Sequence, residues 1–372
     1  MIWYTGLDLL ADQGLCHDMA IGFDDTGAVT ITPFAGQAGT DLARDGRRVL
    51  VTPGFVDLQV NGGAGRLLGD CPDVAAVHAM ADAHWASGTA AIVPTLVSDS
   101  PANTARVIAL LAAAQKTMPA LLGLHLEGPH LAVAGAHDPA MLRPLGDADL
   151  DLYRKARALL GVVMITIAPE IVTPEQIAAL VQAGLIVSLG HSACSHDQAC
   201  AAYGAGASMA THLFNAMSGL AHREPGLVGA TLDRGMPFGL IADGVHVHPA
   251  ALRIALAAGG QGAVLVSDAM ALTGSADAQF TLAGHRIYRR NGRLERADGT
   301  LAGADLTLVQ AVENLGRWTG SPTADLAPMA YAAPLRCLGI HRHPTPERLL
   351  VWHDGGAVAR IERGALQPLT RV

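Results

Sequence analysis

Short apolar runs recur along this chain, separated by longer stretches that carry helix punctuation. Eight runs stand out: VTPGFVDLQV (51–60), TAAIVPTLV (89–97), ALLGLHLEG (120–128), VVMITIAPE (162–170), LIVSLGHS (185–192), ASMATHLF (207–214), FGLIADGVHV (238–247) and AVLVSDAM (263–270). Each is nearly continuous in apolar residues, the pattern of a strand covered on both faces. Between them, Asp73 opens an Ala-rich run to Ser87, Ser100-Pro101 supplies an N-cap and a first-turn proline, and Thr173-Pro174-Glu175 repeats that signal for 174–183. Alternating strand and helix predict a parallel sheet, and eight repeats predict an α/β fold closed as a TIM-like (β/α)₈ barrel over 51–334. The Gly- and Pro-rich stretch 218–236 breaks the rhythm between the sixth and seventh strands, so a functional loop is expected there.

The flanks follow a different pattern. Residues 1–50 carry turn signals at Asp24-Asp25-Thr26-Gly27 and Asp45-Gly46, with the alternating strand AVTITPF between them, and 347–372 reads as a hairpin over Asp354-Gly355-Gly356. Both ends are too small to fold alone. They are expected to join as one small β-sandwich domain, 1–50 with 335–372, beside the barrel. A two-stranded excursion near 279–296, turning at Asn291-Gly292, interrupts the barrel after its eighth strand.

At 372 residues the chain has room for a barrel of about 250 and a second small unit. Half of the residues are hydrophobic and 16% are charged, which excludes a disordered chain. A formal charge of −8 argues against nucleic-acid or anionic-membrane partners, though not against an anionic small molecule met by local positive groups. The five cysteines are odd in number and irregularly spaced, so no disulfide framework is expected. The N-terminal segment has neither a basic region nor a sustained apolar core, and no uncharged stretch approaches the ~18 residues of a membrane span. The expectation is a soluble, cytoplasmic protein.

The candidate chemistry sits where the strands stop. LHLEGPH (124–130), GHS (190–192), THLFNAM (211–217), DGVHV (243–247) and SDAM (267–270) place Glu, His, His, His and Asp after five different apolar runs. Singly, such residues are most often caps or hydrogen-bonded structural groups. At the C-terminal ends of parallel strands they are where a barrel keeps its active site. One carboxylate and two imidazoles leave a coordination position open on a divalent metal, which acidifies bound water toward neutrality, and a further carboxylate can then relay a proton.

Taken in order, PGFVDLQVNGG (53–63), PTLVS (94–98), LHLEGPH, GHS, THLFNAM, REPGLVG (223–229), ADGVHV, SDA and LAGADLTL (301–308) resemble the N-acetylglucosamine-6-phosphate deacetylases of the amidohydrolase superfamily, from about Pro53 to Leu315. That resemblance implies a distorted barrel with a small β-sandwich from both termini. It implies one divalent metal per subunit, zinc first with iron, manganese or cobalt as alternatives, on Glu127, His191 and His212. It makes Asp268 the catalytic acid and base. Substrate contact is implied for His137, His246, Arg223, the Asn215-Ala216 backbone, Leu301 and Ala302, with His137 also donating to the oxyanion. Read from the residues alone, His137 in the loop AGAHDP is more simply a surface histidine. The resemblance further implies a homodimer in which Arg223 and His246 reach the neighbouring subunit's site, acting on a phosphorylated amino sugar.

Two departures from the family pattern matter. Many amidohydrolases carry His-x-His at the end of the first strand to hold a second metal, whereas Gln59 and Asn61 stand here, and neutral amides are poor zinc ligands. Beyond Gly339, HRHPTPERLLVWHDGG replaces the family's Gly-rich closing strand, and Ala304 stands where Ser is common. N-acetylgalactosamine 6-phosphate, an unphosphorylated amide, or a non-catalytic role as a sugar-phosphate sensor are the competing functional readings.

Overall fold

In the computed structural model, which describes residues 1–11 and 14–371, all eight predicted runs become parallel strands of one sheet. They are Phe55–Val60, Thr89–Val97, Leu124–Glu127, Val163–Ile167, Ile186–Leu189, Met209–Ala210, Phe238–Leu240 and Ala263–Leu265, numbered one to eight below, each hydrogen-bonded to the next in sequence. The ring is completed by a single bridge, Val60 to Ala269, and by the Asn61 N–H donating to Ala269 O at 2.8 Å. The paired lengths are shorter than the apolar runs, because the residues after each strand turn over the barrel mouth.

A helix follows every strand. Asp73, Ser100 and Thr173 cap Val74–Ala86, Pro101–Ala114 and Pro174–Gln182, each side chain accepting from a backbone N–H in the first turn. The expected loop at 218–236 proves to be half helix, Gly226–Asp233. Its signal was masked because Pro225 precedes it without a capping side chain and Gly226 and Gly229 stand inside it. Gly229 is required there: a Cβ would lie 2.2 Å from the Pro225 Cβ.

Both termini meet in one continuous eight-stranded mixed sheet, in which Val49–Pro53 lies between Ile2–Ala11 and Arg348–His353. Val49–Pro53 passes directly into strand one, so the first predicted run holds two strands belonging to two different sheets. Residues 335–347 add no strand to the terminal sheet. The helix Pro328–Cys337 packs instead on strands one and eight, and Leu335 and Leu338 enter the barrel's hydrophobic cluster. Trp352 donates from Nε1 to Thr52 Oγ1 at 3.0 Å and stacks obliquely on Phe55, fastening sheet to barrel. The excursion near 279–296 is larger than predicted, a four-stranded antiparallel sheet running from Gln279 to Ala304. Asn291 and Gly292 turn it with φ of 51° and 70°, the pair of positive values a tight hairpin of this hand demands.

Inside the barrel the inward face is polar beneath the mouth. His125 lies 2.8 Å from Thr166 Oγ1, which is 2.7 Å from Thr211 Oγ1, which is 2.6 Å from Ser188 Oγ, and all four residues are buried. Asp57 is wholly buried at the seam, accepting from the backbone N–H groups of Gln59 on its own strand and Ser267 beyond strand eight. It therefore clips together the two strands that close the ring.

Burial pushes the Asp57 carboxyl up to about 7, against 3.8 in an ordinary setting. The folded state thus holds this proton more tightly than the unfolded chain does. Its stabilising contribution is complete below about pH 4 and is lost as pH rises through about 7. Denaturant titrations of wild type and Asp57→Asn are expected to show the wild-type advantage shrinking across that window. A pH-independent difference would show that Asp57 stays ionised in the fold.

Candidate active site

Four strand ends supply the chemistry. Glu127 is the last residue of strand three, while His191, His212 and Asp268 follow strands five, six and eight. His191, His212 and Asp268 have positive φ of 48°, 26° and 51°, a conformation costing a non-glycine residue about 1–3 kcal/mol each. Each turns its side chain back over the barrel mouth. Neighbouring bonds hold the turns: Thr211 N–H donates to Leu189 O, Leu213 N–H to Gly239 O, and Ala304 N–H to Asp268 O. Glu170, after strand four, accepts from Ser192 Oγ and from the Ala193 N–H, both at 2.6 Å, and so clamps the residues that follow His191.

Glu127 Oε1 lies 3.3 Å from His191 Nε2 and 3.0 Å from His212 Nε2, and the two imidazole nitrogens are 3.2 Å apart. Ligand atoms held about 2.0–2.1 Å from one tetrahedral zinc would be separated by roughly 3.3–3.4 Å, so the three groups fit a shared divalent ion. His191 Nδ1 donates to Val133 O at 2.7 Å, which leaves the Nε2 lone pair facing the cluster. The electrostatics point the same way. Burial would raise Glu127, yet hydrogen bonds from His191 and His212 hold it well below the usual range. Burial would likewise keep His212 neutral, but Glu127 raises its affinity for a proton, so the cluster draws in positive charge.

His137 also converges here, with Glu127, His137 and His191 offering ligand atoms within 4.8 Å of one another. Its tautomer separates it from the other two. Nδ1 accepts from the Ser98 backbone N–H at 3.2 Å and lies 2.9 Å from the Ser98 hydroxyl, so Nε2 carries the hydrogen and is a donor. Burial, with His191 nearby, lowers His137 to about 3 and keeps the ring neutral. The reading of His137 as a surface histidine is thus corrected: 6% of it is exposed. The His191 backbone O accepts from Ala132 and Val133, and Arg296 of the inserted sheet donates to Ala136 O at 3.1 Å, so its loop is fastened from two sides.

Gln59 and Asn61 occupy the position of the absent His-x-His pair with their NH₂ groups turned to the carboxylates. Gln59 Nε2 donates to Glu127 Oε1 at 2.9 Å and to Asp268 Oδ1 at 3.1 Å, and Asn61 Nδ2 donates to Asp268 Oδ1 at 2.7 Å. Burial and then the charge of Glu127 push Asp268 up to about 6, a value suited to gaining and losing a proton near neutrality.

Asn61, Glu127, His137, His191, His212 and Asp268 surround a cavity of about 300 Å³ that Asn215, Ala216, Leu301 and Gly303 also line. His246 also lines this cavity, fixed by Asp243, whose carboxylate accepts from His246 Nδ1 at 2.6 Å and from its backbone N–H. Ala302 is corrected as well. Strand alternation points it into the apolar core of the inserted sheet, leaving Leu301 and Gly303 on the cavity side. Arg223 is exposed on the loop before Gly226 and does not line the cavity, and among the described residues no Lys or Arg does. The residues unassigned from sequence are Ser98, Asp57, Glu170 and Asp243. Ser98, Glu170 and Asp243 follow strand ends and Asp57 lies within strand one, and Asp243 precedes His246 by the three residues a local hydrogen bond needs.

The Amidohydrolase family profile matches residues 50–281. The chain belongs to this amidohydrolase family. Among its relatives is an N-acetylgalactosamine-6-phosphate deacetylase of Shewanella sp. (strain ANA-3), 42% identical over 264 residues, which are 70% of this chain and 66% of that protein. An N-acetylglucosamine-6-phosphate deacetylase of Haemophilus influenzae is 34% identical over 78% of this chain and 77% of its own. The crystal structure of N-acetylglucosamine-6-phosphate deacetylase from Pasteurella multocida superposes with a TM-score of 0.89 at 26% identity, over 99% of each chain. No helix among the described residues is long and apolar enough to cross a membrane.

For an amidohydrolase whose first strand ends in amides, elemental analysis is expected to find one divalent ion per chain, and Glu127→Gln to lose most of it. Two stoichiometric ions in the wild type would contradict the geometry at Gln59 and Asn61.

Proposed function

We propose that this amidohydrolase cleaves the acetamide of N-acetyl-D-glucosamine 6-phosphate, releasing D-glucosamine 6-phosphate and acetate. The observation that carries this reading is the meeting of the Glu127, His191 and His212 cluster with Asp268 and the His137 N–H in one small cavity. Glu127, His191 and His212 would hold the divalent metal, with zinc the first candidate by its N/O ligand set, and an ion bound there would acidify water and polarise the carbonyl. Asp268 takes the proton from the attacking water as the carbon–oxygen bond forms. It then delivers that proton to the amide nitrogen as the carbon–nitrogen bond breaks. His137 Nε2 donates to the carbonyl oxygen as it gains negative charge, a task for which a fixed neutral donor needs no reorganisation. Gln59 and Asn61 hold Asp268 in line throughout. His246, Leu301 and the Asn215-Ala216 turn contact the sugar.

The 42% identity to a relative named for the galacto sugar favours a second reading, N-acetyl-D-galactosamine 6-phosphate as the better substrate. Acetate release from the two epimers, compared by kcat/KM, decides between them. Activity on neither would remove both. With the better epimer, Asp268→Asn is expected to slow turnover by ~10²–10⁴ while metal stays bound. Near-normal turnover in that variant would reject Asp268 as the proton carrier.

A phosphate needs positive charge, and the cavity's own lining offers no Lys or Arg among the described residues. The loop bearing Arg223 is exposed, and a guanidinium suits phosphate by donating two parallel hydrogen bonds. The proposed assembly is a homodimer in which Arg223 of the partner subunit meets the phosphate. Arg223→Ala is expected to raise KM for the phosphorylated sugar and leave the unphosphorylated analogue unaffected. Mixing Arg223→Ala chains with Glu127→Gln chains is expected to give more activity than either parent, because one hybrid site keeps both groups. A monomeric protein, or equal KM changes for both sugars, would refute the assignment.

A further inference from the structure

A second cavity of about 380 Å³ lies behind the active site, between the ends of strands one and two and the Ala283-Gly284 turn of the inserted sheet. It shares three wall residues with the active-site cavity: Asn61, Val97 and Leu282. Its remaining lining includes the apolar Leu67, the exposed Thr281, and Asp70. The wall between the two cavities rests largely on Val97 and Leu282, apolar side chains with no hydrogen bond to break when they rotate. Asn61 is 3% exposed, and while its NH₂ group is committed to Asp268, its Oδ1 has no partner.

The direction of the substrate follows from barrel order, on the reading given under Proposed function. The amide carbon must sit beside Glu127, His191, His212 and Asp268. The sugar leaves toward strands six and seven, whose following residues Asn215, Ala216 and His246 line the cavity. An amide is planar, so its acyl substituent points away from the nitrogen's sugar. In a ring of eight strands, two is opposite six. The acyl group therefore faces Asn61, Val97 and Leu282, and the space beyond them.

We infer that this second cavity is an acyl-chain subsite, and that the enzyme deacylates amino-sugar phosphates whose N-acyl groups are longer than acetyl. The chemistry is the same amide hydrolysis: water adds to the acyl carbon, the carbon–nitrogen bond breaks, and the products are the free amine and a longer carboxylate. Each methylene that passes Val97 and Leu282 meets Leu67 and Ala283 in a lining shared with Asp70, Thr95 and Thr281, and the contact with the apolar side chains favours binding.

The test uses the metal-loaded wild-type enzyme with the N-acetyl, N-butanoyl and N-hexanoyl derivatives of D-glucosamine 6-phosphate. The N-butanoyl substrate is expected to keep kcat/KM within ten-fold of N-acetyl. Thr281→Trp, which fills the second cavity from an exposed strand position, is expected to cut N-butanoyl and N-hexanoyl turnover at least ten-fold while N-acetyl turnover stays unchanged. Thr281→Ala is expected to spare all three. Unchanged N-acetyl activity in the tryptophan variant also reports that it folds. The inference is overturned if the longer substrates are neither hydrolysed nor competitive with N-acetyl, or if Thr281→Trp lowers all substrates equally. Absence of N-acetyl hydrolysis itself would instead bring down the underlying reading.

Discussion

Two carboxylates, Glu127 and Asp268, are buried at the same barrel mouth, and their mutual repulsion is the constraint from which the rest follows. Burying either without compensation would be prohibitive. The fold answers with donors and latent positive charge. Gln59 bridges the two carboxylates with one NH₂ group, Asn61 reinforces Asp268, and His191 and His212 surround Glu127. The same compensation divides the labour between them. Glu127 is pulled down and stays anionic, as the proposed ligand role requires, whereas Asp268 is pushed up to about 6, as the proposed proton carrier requires.

This division explains why amides replace imidazoles on strand one. A second cation between Glu127 and Asp268 would neutralise both and draw Asp268 into coordination. The Gln59 donor satisfies the same two oxygens without removing the basicity that proton transfer needs. Local strain serves the same end, since positive φ at His191, His212 and Asp268 is what turns three side chains inward from strands that would otherwise alternate outward.

Much of this was legible from residue order alone. All eight barrel strands fall within the apolar runs, and Asp73, Ser100 and Thr173 cap the helices they announced, because strand burial and capping are local physics. Glu127, His191, His212 and Asp268 were legible because each ends an apolar run. What escaped was non-local. The inward polar chain from His125 to Ser188 is invisible to a pattern counting apolar residues, and whether His137 is exposed depends on Ser98 and Arg296, far away in sequence. The orientation of His246 was equally hidden, because its hydrogen bond to Asp243, rather than its position after strand seven, decides where the ring points. Ala302 was misassigned for want of strand phase.

The interleaving of the two termini in one sheet has a consequence for synthesis on the ribosome. Val49–Pro53 can pair with Ile2–Ala11 as soon as both emerge, but its other edge waits for Arg348–His353. At roughly 5–20 residues per second, about 300 intervening residues leave that edge bare for ~15–60 s. A bare strand edge is a template for foreign strands. The nascent protein therefore grows its barrel beside an open seam, which closes only once Arg348–His353 has emerged.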